Sequence, residues 1–131
     1  MVALAQSPKK LLKFVPISSR SGGTSRLDPT AGPDFAADPR VLELIGHVTE
    51  AAAAAHISIS VCGDAAADRR VLPLLIGLGV RVVSVPAAKV GQVHNWLSHL
   101  DVGACTALAA KAAAALSARE NWELVDRAGL S

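Results

Sequence analysis

The chain of 131 residues has no tyrosine, and its aromatic side chains are two phenylalanines and two tryptophans. That is too little for a surface on which bases could stack. No run of about 20 apolar residues occurs, so no membrane-spanning helix is expected. The opening residues Met1, Val2, Ala3, Leu4, Ala5 and Gln6 are too weakly apolar for a secretory core, and Lys9 and Lys10 follow them instead of preceding them. A cytoplasmic protein with reduced thiols is the expectation. Cysteine is sparse. Cys62 and Cys105 stand far apart with no C-x-x-C, which argues against a disulfide framework or a zinc site. The four histidines, His47, His56, His94 and His99, are scattered, and the last two are five apart where a helical zinc pair needs four. They read as surface or partly buried side chains. A net charge of +2 makes no case for a nucleic-acid partner.

What is present is the balance of a folded domain: half of the chain is apolar and 18% is charged. Residues 8–15 suggest a short helix or strand approach. A Ser/Gly/Arg stretch from Ser18 to Arg26 follows, extended by Pro29, Gly32 and Pro33, and the region up to about Asp38 reads as loop. It contains no G-x-x-x-x-G-K-S/T phosphate loop. The character changes at Asp38-Pro39, a capping residue followed by a proline suited to the first helical position. Val41, Leu42, Leu44, Ile45, Val48, Ala51, Ala52 and Ala55 then form a helical stripe that ends near His56.

The next residues carry the main signal. Ile57-Ser58-Ile59-Ser60-Val61 alternates strictly, so Ile57, Ile59 and Val61 take one face of a strand, and Ser58, Ser60 and Cys62 the other. A strand that is apolar on one side, small and polar on the other, and ends in a thiol suits a β/α barrel, where chemistry sits at the carboxyl ends of strands. A second helix begins near Asp68 or Arg69 and is stopped by Gly77 and Gly79. A second strand covers about residues 80–85 and ends at Pro86. Helices over about 88–99 and 102–116 follow, then a short one carrying Trp122, Leu124 and Val125. This order predicts an α/β fold with a parallel sheet. Two strands cannot bury both faces alone, and a full barrel needs about 250 residues. The expectation is therefore a partial (β/α) barrel, or a sheet completed by another chain.

The stretch Pro39–Ser84 resembles the end of the phosphoenolpyruvate-binding TIM barrel shared by enzyme I of the sugar phosphotransferase system (phosphoenolpyruvate-protein phosphotransferase) and pyruvate phosphate dikinase. The phosphotransferase branch fits better. Its pattern is approximately P-x-V-L-x-L-I, an Ala-rich helix, a strand, C-G-E-x-A-x-D, L-L-L-x-G-x-G, and a strand with S-M/V-S. Here stand Pro39, Val41, Leu42, Leu44 and Ile45, then Cys62, Gly63, Ala66 and Asp68, then Leu74, Leu75, Gly77 and Gly79, then Ser84 and Val85. The spacing matches without gaps, and a weaker match continues through Val90 and Val93 to Leu97. The resemblance divides the chain into a divergent, loop-rich segment 1–37 and a C-terminal barrel portion 38–131.

The resemblance implies a chemistry. Such enzymes bind phosphoenolpyruvate with Mg²⁺ at the barrel mouth, pass the phosphoryl group to a histidine on a mobile domain, and protonate the remaining enolate at carbon to give pyruvate. Cys62 occupies the place of the cysteine that acts as the acid. A thiol with a pKa of about 8.5 is mostly protonated at neutral pH yet can surrender a proton to an enolate. Gly63 would let backbone approach the ligand closely. Asp64 stands where the family has glutamate, with the same charge and one methylene less reach. Arg26 falls near the place of a phosphate-contacting arginine, where a guanidinium could grip phosphate bidentately, although Ser25 replaces the aspartate before it. The ordinary alternatives are a small buried cysteine and a solvated loop arginine. Cys105, in the Ala-rich helix, is read as structural. The implied partners are phosphoenolpyruvate, a phosphocarrier protein and a second copy of the chain.

The Asn-Asp pair that supplies magnesium contacts in the family is absent, so no metal ligand is assigned. The earlier barrel strands, with further arginines and a metal-binding glutamate, are not in this sequence. Two main readings stay open. One is a terminal fragment of a phosphoenolpyruvate-dependent phosphotransferase with negligible turnover alone. The other is a degenerate, non-catalytic barrel remnant that serves as a dimerisation or interaction module, through Ala-rich helices and open sheet edges. A further expectation covers residues 1–25, which would be foreign to the family if a shifted frame or truncation produced them.

Overall fold

The structure, a computed structural model, describes Val2–Ala5, Leu11–Leu12 and residues 33–130. Most of the expected loop-rich segment 1–37, Arg26 included, lies outside the described residues. Strands β1 (Val2–Ala5) and β2 (Leu11–Leu12) precede a 3₁₀ turn at Pro33–Ala37. Helix α1 (Pro39–Ala54) begins where expected, since Asp38 is extended and its carboxylate accepts the Arg40 N–H at 2.9 Å. His56, at φ 53°, turns the chain from α1 directly into β3 (Ser58–Cys62). Such a left-handed residue permits so short a link, and histidine is among the side chains that tolerate it.

A 3₁₀ turn, Asp64–Ala67, leads to α2 (Leu72–Gly77). The helix starts three to four residues later than the pattern suggests. Asp68 spends its carboxylate on the N–H groups of Arg70, at 2.8 Å, and Val71, at 3.3 Å, so residues 68–71 are a capped turn. Then follow β4 (Val82–Val85), a 3₁₀ turn at Ala87–Lys89, α3 (Val90–Ser98), α4 (Val102–Ala113) and α5 (Ala118–Ala128). The last begins with a capping box: Ser117 accepts from the Glu120 N–H, and Glu120 accepts from the Leu116 N–H.

The sheet runs β1-β4-β3-β2. β2 is parallel to β3, and β3 to β4, as the alternation of helices and strands predicts. β1 departs from that plan. It lies antiparallel along β4, with Val2 opposite Val85 and Ala5 opposite Val82. The chain thus flanks both of its clear strands with segments of its own.

The strand alternation behaves as read. Ile59, Val61, Val83 and Val85 point into the core, where Ile45 of α1, Val71, Leu72 and Leu75 at α2, and Val93 of α3 meet them. A second cluster joins Leu42 of α1, Leu74 of α2, Leu108 and Ala112 of α4, and Val125 of α5. Each leucine buried here is worth about 1.5–3 kcal/mol of transfer free energy. Ser58, Ser60, Cys62 and Ser84 belong to neither cluster and are half-buried. All four histidines are exposed. Among the described residues no helix is long and apolar enough to cross a membrane.

Candidate functional site

Cys62 is the last residue of β3 and remains partly accessible. Ile59 and Val61 face the helices, so alternation sends Ser60 and Cys62 to the opposite side. On the neighbouring strand Val83 and Val85 also face the helices, which turns Ser84 to the side of Cys62. The parallel register agrees and pairs Cys62 with Ser84 directly. The two short polar side chains therefore sit side by side at the carboxyl ends of adjacent strands. Strands of a sheet lie about 4.8 Å apart, and the two side chains are register neighbours without a hydrogen bond between them.

Gly63 follows at φ 102° and ψ −171°, a conformation that is essentially glycine's alone. A Cβ there would meet nothing within 4 Å, so the requirement comes from the backbone and not from crowding. The Gly63 carbonyl accepts the Ala66 N–H at 3.1 Å and fixes the turn that carries Asp64 outward. Gly63 and Asp64 are both exposed beside the thiol. The motif from Cys62 to Asp68 thus divides in two. Cys62, Gly63 and Asp64 are presented at the strand end. Ala66 is fully buried and Asp68 caps the following turn, so these two build the scaffold.

Cys105 is of another kind. It is fully buried in α4, and burial, with Asp101 second, pushes its thiol above the usual cysteine range. Its structural reading fits this setting. Arg26 lies outside the described residues, so the phosphate contact expected of it has no geometry here.

Among the described residues, no group of three or more His, Cys, Asp or Glu side chains could hold a metal ion. Asp64 is a single exposed carboxylate, and a magnesium ion bound through protein oxygens uses one or two carboxylates together with substrate oxygens and water. The described residues do not fit a magnesium site of their own.

Two features escaped the sequence reading. One is the partnership of Cys62 with Ser84, since pairing register leaves no mark in a single sequence. The other is the brace that holds α5. Arg70 forms an ion pair with Asp126 at 2.7 Å and lies 4.6 Å from the centre of the Trp122 ring. The fully buried Asn121 donates to the Ala37 carbonyl at 2.8 Å. The spacing of Trp122 and Asp126, one turn apart on a helix, was the available signal.

Comparison with known proteins converges on the same segment. Residues 31–102, more than half of the chain, match the sequence model of the PEP-utilising enzyme, PEP-binding domain. A phosphoenolpyruvate-protein phosphotransferase of Chlamydia pneumoniae is 33% identical over 89 residues, which is 68% of this chain and 16% of that protein. One of Streptomyces coelicolor is 42% identical over 82 residues, 63% of this chain and 15% of the relative. A multiphosphoryl transfer protein of Escherichia coli is 33% identical over 82 residues, 63% of this chain and 10% of that protein. The chain therefore spans about a sixth or less of the length of these curated relatives. With the matched segment holding β3, β4 and the strand-end thiol, the chain belongs to the family of the PEP-utilising enzyme, PEP-binding domain.

Proposed function

We propose that this chain supplies the C-terminal βα units of a phosphoenolpyruvate-binding (β/α) barrel, and that Cys62 is the acid that protonates the enolate carbon after phosphoryl transfer to a protein histidine. The observation that carries this reading is the position of Cys62, partly accessible at the carboxyl end of β3 and followed by a glycine at φ 102°. A substrate lying over that strand end would have the thiol beneath it and the Gly63 backbone and Asp64 beside it. Arg26 would add its guanidinium to the phosphate.

The proton step is balanced within the site. The Cys62 S–H bond breaks, its proton forms a C–H bond at the enolate carbon, and the electron pair stays on sulfur. Pyruvate leaves and the thiolate recovers a proton from water. Magnesium, if this chain works with it, would take ligands from beyond the described residues and would offset the charge of the phosphate. Because the earlier strand ends of a barrel are missing from this sequence, the chain alone is expected to turn over negligibly.

Two measurements on the purified chain test the reading. Phosphoenolpyruvate with Mg²⁺ should slow alkylation of Cys62 by iodoacetamide and leave Cys105 unaffected. Incubation with phosphoenolpyruvate, Mg²⁺ and a phosphocarrier protein should give no phosphorylated carrier above background. Equal alkylation of Cys62 with and without ligand would remove the proposed substrate site. Carrier phosphorylation at an ordinary enzymatic rate would overturn the expectation of an inactive fragment.

A further inference from the structure

Polar groups carry much of the seam between α5 and the rest of the fold. Of its eleven residues, Asn121 and Val125 alone are buried. The neighbouring α2 buries four of six, Leu72, Pro73, Leu74 and Leu75. Asn121 is fully buried and donates to the Ala37 carbonyl, yet its Oδ1 has no hydrogen-bond partner among the described residues. The same is true of Arg70 Nε, buried where the guanidinium crosses the Trp122 ring. A buried polar atom without a partner forgoes the bonds it would make with water, so docking α5 is penalised at two atoms. Against this stand Val125 in the second apolar cluster, Trp122 and Leu124 at its margins, and the Arg70–Asp126 pair. That pair is about half exposed and adds little.

We propose that α5 is a latch, a unit that leaves the body of the fold as a whole while the sheet, α1, α2 and α4 stay folded. Opening returns both orphaned atoms to water, which lowers the cost of the open state. The helix is built to move in one piece. Its capping box joins Leu116, Ser117 and Glu120, so the bonds at its N-terminus travel with it. Leu116, 95% exposed in the link from α4, has no packing to give up. α4 stays behind because Cys105, Leu108, Ala109 and Ala112 are all buried. The open state uncovers Leu42 of α1, Leu74 of α2, and Leu108 and Ala112 of α4, an apolar surface drawn from three helices. This opening is independent of the chemistry at Cys62.

Native-state hydrogen exchange of the full chain in low urea tests the latch. The amides from Asn121 to Val125 should share one opening rate, roughly 30-fold or more above the slowest amides of α1 and β4, with a weaker dependence on urea. Exchange that is graded from the Ala128 end is fraying and overturns the proposal, as does exchange of α5 and α1 at equal rates and urea slopes. The two tryptophans give a second readout, since Trp122 lies on α5 and Trp96 on α3. In Trp96→Phe the remaining Trp122 emission should shift to the red at lower urea than the loss of far-ultraviolet circular dichroism. Coincident transitions in a folded Trp96→Phe chain overturn the proposal too. The exchange measurement needs no substitution, so it stands if that variant fails to fold.

Discussion

A Cβ added at Gly77 would collide with the backbone carbonyl of Cys105 and come within 2.7 Å of the Ala109 Cβ. At this point α2 and α4 touch backbone to backbone, and neither contact is the free end of a flexible side chain. Gly77 has a negative φ, so the demand is for space alone.

Gly77→Ala is therefore expected to destabilise the chain by about 1–3 kcal/mol, against the ~1 kcal/mol that alanine usually gains in a helix. Gly46→Ala is the opposite case. Its Cβ would meet Leu78 Cδ2 at 3.5 Å, an ordinary contact, and the substitution should gain about 0.5–1 kcal/mol. Urea unfolding of both variants checks the contrast. Equal effects would show that α2 and α4 do not approach this closely.

Gly63→Ala should cost about 1–3 kcal/mol although nothing lies near the added methyl. The penalty comes from the backbone at φ 102°. Gly63→Asn should be less damaging than Gly63→Val, since β-branching is least compatible with positive φ. Thermal unfolding ranks the three. Cys62 alkylation in the same variants reports whether the turn still presents the thiol.

Asp38 gives the acid limb of stability a specific contributor. Its hydrogen bond with the Arg40 side chain holds the carboxyl below the usual aspartate value. A carboxyl lower in the folded than in the unfolded state stabilises the fold above the unfolded value, near 3.8, and that contribution is lost as pH falls through the lower folded value. Asp38→Asn keeps an N-capping side chain and removes the titration, so its urea midpoint should fall less steeply than wild type below pH 4. Parallel acid limbs for the two proteins would deny Asp38 this part.

Arg70→Ala should cost about 1–2 kcal/mol, because it removes both a stacking and an ionic contact to α5. Asp126→Asn breaks the ion pair alone. With Asp126 56% exposed, that change should cost at most about 1 kcal/mol. Hydrogen exchange of α5 amides separates the two, since α5 should open more readily in the first variant than in the second.

The elements that the sequence announced are those whose signals are local. Asp38-Pro39 marks the start of α1 by capping chemistry. The Ile/Ser alternation marks β3 and sorts its faces correctly, and Gly77 and Gly79 end α2. What escaped depends on distant partners. Val2–Ala5 has no periodicity of its own and becomes a strand by pairing with residues some 80 positions later. Two residues, Leu11 and Leu12, are too few to show any period. Asp68 looked like a helix start because capping a turn and capping a helix use the same side-chain bond. At the site, Cys62, Gly63 and Asp64 were legible through a motif. Ser84 was visible as part of the same match, but its adjacency to the thiol required the register of the sheet.

The antiparallel course of Val2–Ala5 along Val82–Val85 has one more consequence. A cylinder of strands grows by adding each new member in the same direction as the last, and at β4 that growth has met a stopper facing the wrong way. The β4 amide and carbonyl groups on that border are engaged by Val2–Ala5, and the outer row on this side of the sheet now belongs to β1. A polypeptide that placed a parallel neighbour directly against β4 would first have to peel the leading residues away.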